Sequence, residues 1–136
     1  MFERILLSVD GSDHARRAGS VTADLAELVG ASVTVVHIQQ TPTVWAVDFD
    51  PTITWADSEL VDDVVRDLKD RGIGALGEMR LANASVAHEI INLAKEIDAS
   101  LIVMGSRGLS DGEALVFGST SHKVAHLATC PVLVVR

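Results

Sequence analysis

The stretch Leu101-Ile102-Val103-Met104-Gly105-Ser106-Arg107-Gly108 decides the fold of this chain. Its first four residues are apolar, which is typical of a short strand buried in a parallel sheet. Two glycines follow at once, so the backbone must turn sharply or approach another group closely. We predict a strand over residues 100–104, a glycine-bearing loop to Gly118, a helix over residues 119–128 and a terminal strand over residues 131–136.

The preceding hundred residues show the same alternation of strand and helix. Ser12 is a suitable N-cap for the first helix and Gly30 a suitable end for it, and Asn83 or Ser85 can cap the third. Residues 39–56 contain two prolines and are predicted to be irregular. The other predicted strands cover residues 5–9, 32–38 and 75–81, and the second helix covers residues 57–71.

This order predicts one α/β domain over residues 1–136. Alternating strands and helices form a parallel sheet with helices on both faces. We therefore expect a doubly wound, Rossmann-like sheet of five strands in the order 3-2-1-4-5. Ligands of such sheets bind beyond the carboxyl ends of the strands, where Asp10, Ile38 and Gly105 are predicted to lie.

Composition and charge exclude several classes of partner. The 136 residues carry a net charge of −8 and no run of Lys or Arg, which argues against nucleic acid and anionic membranes as partners. No segment approaches the roughly 18 apolar residues of a membrane span. The single cysteine fits a reducing compartment. We expect a cytoplasmic protein.

The loop that ends at Gly118 has the parts of a phosphate site. Gly118 precedes a helix whose first turn is Ser119, Thr120 and Ser121. A helix N-terminus offers unpaired N–H groups and the positive end of a dipole, and hydroxyls there can add donors. The alternative is a plain connection in which Ser119 is only an N-cap. No Lys follows Gly118, so the loop is not a Walker motif.

The spacing Gly-x2-Gly-x9-Gly-Ser/Thr resembles the ATP-binding signature of the universal stress protein family. Three further stretches are similar to that family in the same order: residues 5–12, 99–108 and 130–135. The resemblance lapses only across residues 39–56. It implies a small ATP-binding regulatory protein of stress physiology. It also implies a homodimer through the apolar C-terminal strand, which the predicted order places at a sheet edge.

The resemblance implies a role for each matched position. Asp10 would meet the adenosine end of ATP, and Ile38 would contact adenine largely through its backbone. Arg107 brings a positive charge to the loop, whereas Asp111 and Glu113 either form a solvated loop tip, which we favour, or make the loop beside the phosphates net acidic. A Mg²⁺ or Mn²⁺ ion bridging the phosphates would reduce the resulting repulsion. The remaining residues expected around the nucleotide are Met104, Gly105, Gly108, Gly118, Ser119 and Thr120.

Two other functions stay open from the sequence. One is a slow, metal-dependent ATP hydrolase or adenylyl-transfer enzyme on the same fold, although no catalytic constellation supports it. The other is a pure interaction protein with a vestigial loop. His37, near the end of an apolar strand, is expected to pack in the core.

Overall fold

Strand and helix alternate along the chain as the sequence predicts. The computed structural model describes residues 1–40, 51–82, 84–107 and 118–136, with the backbone alone for 51–56. Its elements are β1 (Arg4–Ser8), α1 (Asp13–Val29), β2 (Ser32–Gln40), α2 (Pro51–Asp70), β3 (Ala75–Ala82), α3 (Val86–Glu96), β4 (Leu101–Gly105), α4 (Ser119–Leu127) and β5 (Val132–Val135).

The five strands form one sheet in the order β3-β2-β1-β4-β5. All four pairings are parallel, with Ile5 opposite Val33 on one side and Leu101 on the other. The predicted order is therefore confirmed. The chain moves outward in one direction through β2 and β3 and in the other through β4 and β5. The switch point lies between β1 and β4, where ligands of doubly wound sheets bind.

Helices cover both faces of the sheet, and each face has its own apolar core. Successive strand residues point to opposite faces. Ile5 and Leu7 accordingly pack with α1 and α2, whereas Leu6 packs with α3 and α4, and all three side chains are fully buried. Burial on both faces explains the continuous apolar runs of the central strands.

The helix ends confirm the predicted capping residues. The Ser12 side chain accepts a 3.1 Å hydrogen bond from the backbone N–H of Ala15, and Ser85 caps α3 in the same way through His88. Gly30 ends α1 with φ of 72°, a left-handed conformation that glycine adopts without steric cost.

The prediction of irregular structure over residues 39–56 is wrong at both of its ends. β2 extends to Gln40, and α2 begins at Pro51, six residues before the predicted start. Proline suits the first turn of a helix, because the N–H it lacks has no partner within the helix there. Residues 41–50 lie outside the described part of the chain.

No helix among the described residues is long and apolar enough to cross a membrane.

Candidate functional site

A cleft of about 470 Å³ opens at the carboxyl ends of β1, β2 and β4. Its strand side includes Val9, Ile38 and Met104. Its helix side includes the first turns of α3 and α4, because helices that follow parallel strands begin at this edge of the sheet. The volume lies within the range of roughly 300–1,000 Å³ typical of small-molecule sites.

Most of the predicted site residues meet in this cleft. Gly118 does not line it directly but is the residue immediately before α4. Gly108 lies outside the described residues, as do Asp111 and Glu113. The predicted residues that line the cleft are Asp10, Ile38, Met104, Gly105, Arg107, Ser119 and Thr120.

Asp10 belongs to a tight turn as well as to the cleft. Its Oδ1 accepts a 2.9 Å hydrogen bond from the backbone N–H of Ser12. Gly11 between them has φ of 82°, a conformation that other residues rarely adopt. Aspartate forms such local turns readily. The carboxylate is thus held at the end of β1, on the wall of the cleft.

The first turn of α4 has no side-chain cap. Gly118 is the N-cap, so Ser119 is the first helical residue and not the cap that a plain connection would require. In contrast, α1 and α3 are capped by serine side chains. The N–H groups of the first turn of α4 therefore have no capping side chain and point toward the cleft end of the helix.

Ser106 fixes the position of that turn. Its carbonyl oxygen accepts hydrogen bonds from the N–H of Gly118 at 2.6 Å and from the Ser121 hydroxyl at 2.8 Å. Its own N–H donates to the carbonyl of Val135, and its hydroxyl lies 2.6 Å from Nδ1 of His14. This buried serine joins the ends of β4 and β5 to the starts of α1 and α4.

Gly105 is required by packing within the protein. A Cβ atom at this position would lie 2.8 Å from Cβ of His14 and 2.9 Å from the backbone nitrogen of Ala15. The close approach that its sequence position suggests is therefore to the start of α1. Its neighbours Met104 and Ser106 still line the cleft.

His37 joins the ends of β1 and β2 at the cleft wall. It is 9% exposed, which confirms the prediction that it packs in the core, and it also lines the cleft. Its Nδ1 donates a 2.8 Å hydrogen bond to the carbonyl of Val9. Its Nε2 lies 3.6 Å from Oδ2 of Asp57, which also accepts a bond from Gln39. These contacts hold Val9, which precedes Asp10, and the two residues that flank Ile38.

The charged side chains that line the described cleft are mostly cationic. Arg107 and Lys123 are positive and Asp10 is negative. Lys123, Ser85 and Ser106 were not among the site residues predicted from the sequence. Lys123 could have been found by helical spacing, because it lies four residues after Ser119 and so on the same face of α4. Ser85 lines the same cleft as the first turn of α4, and no local pattern indicates this because the two segments are far apart in the sequence.

Comparison with known proteins agrees with this architecture. The sequence model of the universal stress protein family matches residues 1–136. The chain belongs to the universal stress protein family. This universal stress protein is 35% identical to the universal stress protein YxiE of Bacillus subtilis, with 100% of both chains covered.

Solved structures of the family are similar in fold. A universal stress protein family member from Burkholderia pseudomallei is 26% identical, with a TM-score of 0.79 over 98% of this chain and 96% of that one. The universal stress protein from Archaeoglobus fulgidus in complex with dAMP is also 26% identical, with a TM-score of 0.75 and 100% of both chains covered.

Proposed function

We propose that this universal stress protein is a cytoplasmic, ATP-binding regulatory protein of the stress response, with the nucleotide held by residues 105–120. One observation carries the proposal. Residues from the ends of three strands and the uncapped start of α4 line a single cleft of about 470 Å³. A cleft of this size, apolar in part and with a few convergent polar groups, is typical of a nucleotide-sized ligand.

The local electrostatics of the cleft favour phosphate although the chain is acidic overall. The first turns of α3 and α4 both line the cleft, and each brings the positive end of a helix dipole. Arg107 and Lys123 add two positive charges against the single carboxylate of Asp10 in the described lining. These described groups lie close to the proposed phosphates, whereas the net charge of −8 is spread over the whole surface and screened by salt.

The two ends of the cleft suggest an orientation for the nucleotide. Asp10 and Ile38 lie at the ends of β1 and β2 and can hold the adenosine end by a carboxylate and by backbone groups. Ser119 and Thr120 supply N–H groups and hydroxyls for the phosphates at the start of α4. Met104 and Gly105 lie between the two ends.

A divalent ion would be held mainly by the phosphates. Among the described residues, no group of three or more His, Cys, Asp or Glu side chains could bind a metal. Asp10 is the one carboxylate in the described lining, and it already accepts a bond from Ser12. We therefore expect Mg²⁺ or Mn²⁺ to arrive with ATP, because Mg²⁺ commonly binds through phosphates and few protein carboxylates.

The Archaeoglobus fulgidus relative supports the class of ligand. That protein was solved with dAMP, an adenine nucleotide, and it shares the fold over 100% of this chain. An adenine base is common to dAMP and ATP, whereas the number of phosphates differs. The adenosine end of the proposed site thus has support from a relative as well as from the cleft.

The direct test is to ask whether purified protein carries and binds nucleotide. A denatured sample is run on ion exchange, and any released nucleotide is identified by mass. Calorimetry with ATP then measures binding with Mg²⁺ and after EDTA treatment. We expect saturable binding that weakens in EDTA. If nucleotide neither co-purifies nor binds at millimolar concentration, the protein is an interaction module and the proposal is wrong. Steady release of labelled phosphate would instead indicate a hydrolase.

A further inference from the structure

Lys123 lies on α4 one turn beyond the proposed phosphate contacts. It lines the cleft together with Ser119 and Thr120, which precede it by four and three residues. Residues at these spacings share one face of a helix, and helical side chains lean toward the N-terminus. The Lys123 side chain therefore extends back over the first turn of α4. Nothing in the glycine signature involves this position.

The ammonium of Lys123 is not engaged by the part of the chain that the structure describes. None of the ion pairs formed within the described part of the chain involves Lys123, and its side chain is exposed at the mouth of the cleft. The floor below the same turn is formed by Ser106 and Ser121, which are 1% and 2% exposed. A ligand bound over this turn would have the buried serines on its inner side and the exposed Lys123 on α4 beside it.

From this position Lys123 can contact the outer phosphates of a bound nucleotide. A nucleoside monophosphate that reaches the N–H groups of the first turn ends there. A di- or triphosphate has further phosphates, which extend toward solvent because the floor of the cleft is closed by buried serines. Lysine is a flexible point charge that suits such a partly solvated contact. Its attraction also increases with the charge of the phosphate chain.

We propose that Lys123 is the residue that makes this cleft selective for nucleoside di- and triphosphates over monophosphates. The inference rests on the proposed function and deepens it, since it assigns the preference for a polyphosphate to one side chain. Arg107 contributes a second positive charge to the cleft lining just after β4, where its carbonyl accepts a 3.4 Å bond from the Ser12 hydroxyl.

The test compares AMP, ADP and ATP by calorimetry on wild type and three variants. Lys123→Met keeps the length of the side chain and removes the charge, and Lys123→Arg keeps the charge. Lys69→Met on α2 is the matched control, because it changes the net charge equally at an exposed position outside the cleft. Circular dichroism verifies that each variant is folded.

We expect Lys123→Met to lower the affinity for ATP by roughly tenfold or more, as for loss of a charged hydrogen bond. The affinity for AMP should change less than about twofold, because its single phosphate is held by the N–H groups of the first turn. Lys123→Arg should retain most of the affinity for ATP, and Lys69→Met should match wild type.

Three results would overturn the inference while the proposed function stands. The first is unchanged ATP binding by Lys123→Met, and the second is an equal loss of affinity for AMP and for ATP in that variant. The third is an equal loss of ATP affinity in Lys69→Met, which would show that only the long-range electrostatic field of the protein is involved. If wild type binds no adenine nucleotide, the proposed function fails as well. The wild-type titration therefore distinguishes the two failures.

Discussion

The N–H of Gly118 donates a 2.6 Å hydrogen bond to the carbonyl oxygen of Ser106, which ties the start of α4 to the end of β4. The Ser121 hydroxyl strengthens this connection by donating to the carbonyls of both residues, at 2.8 Å to Ser106 and 3.0 Å to Gly118. The first turn of α4 is therefore held in place before any ligand arrives. A preorganised site loses less entropy on binding than a site that must become ordered.

Gly118→Val should abolish ATP binding and leave the domain folded. Gly118 has φ of −69° and ψ of 157°, which valine adopts easily, and the backbone bond to Ser106 remains. The new side chain, however, adds bulk beside the proposed phosphate position. Ser119→Ala should cost less, since only a hydroxyl is lost. Calorimetry ranks the variants, and wild-type binding by Gly118→Val would show that this loop is not the site. Gly108→Val should act similarly, at a position outside the described residues.

Asp10→Ala should weaken ATP binding by about 1.5–3 kcal/mol, the usual contribution of a charged hydrogen bond. It should also lower the melting temperature, because the bond from the Ser12 N–H is lost. Asp10→Asn separates the two effects, since an amide oxygen can still accept that bond while the charge is absent. We expect Asn to restore the melting temperature but only part of the affinity. Unchanged affinity in both variants would mean that Asp10 serves the turn alone.

Gly105→Ala and Gly19→Ala should change stability in opposite directions. A Cβ at Gly105 would meet the backbone of α1 at 2.9 Å, and such overpacking typically costs about 1–3 kcal/mol. A Cβ at Gly19, within α1, meets nothing within 4 Å, and alanine is better than glycine in a helix by roughly 1 kcal/mol. Urea denaturation measures the free energy of unfolding of both variants. A Gly105→Ala variant with an unchanged free energy of unfolding would contradict the close packing between β4 and α1.

The sequence was sufficient for the fold because local signals agreed with each other. Apolar runs, serine N-caps and the glycine after α1 each mark an element end that the structure confirms. The start of α2 was not predictable in this way, because a proline that begins a helix looks the same in the sequence as one that interrupts it. Local patterns thus determined which elements form and in what order better than where each one begins.

The candidate site was only partly predictable for a different reason. The cleft is made by segments far apart in sequence, so no local pattern indicates that Ser85 lines it together with the first turn of α4. The close contact of Gly105 with α1 is likewise a tertiary fact that its neighbours in sequence do not indicate. Lys123 is the exception, because the helical spacing from Ser119 was readable from the sequence.

We predict a homodimer through β5, which Val134→Lys should convert into a monomer. β5 is at the edge of the sheet, pairs with β4 on one side, and carries Leu133 at 36% exposure. An apolar edge strand favours pairing with a second copy, and a lysine opposes it. Leu76→Lys on β3, the opposite edge, is the matched control and should leave the dimer intact. Light scattering at micromolar concentration shows whether wild type and each variant are dimers or monomers. A monomeric wild type, or dissociation only by Leu76→Lys, would contradict the proposed interface.

Glu96→Gln should lower stability at neutral pH by an amount that vanishes in acid. Arg80 on β3 donates to both carboxylate oxygens of Glu96 on α3, at 3.1 and 2.5 Å. These hydrogen bonds, more than the opposite charges alone, hold the pKa of Glu96 below its ordinary value of 4.5. A carboxylate whose pKa is lower in the folded state contributes stability above its unfolded pKa. It loses that contribution as the pH falls through the folded value.

The melting temperatures of wild type and Glu96→Gln should therefore differ at pH 7 and converge as the pH falls from about 4.5, the ordinary value, through the lower pKa of the folded state. The difference should be small and should decrease with added salt, because Glu96 is exposed and solvent screens the pair. Glu59→Gln, at an exposed position of α2, is the control and should follow wild type throughout. A difference that stays the same from pH 7 down to the most acid pH at which both proteins are still folded would show that Glu96 stabilises the fold through its packing and not through its charge.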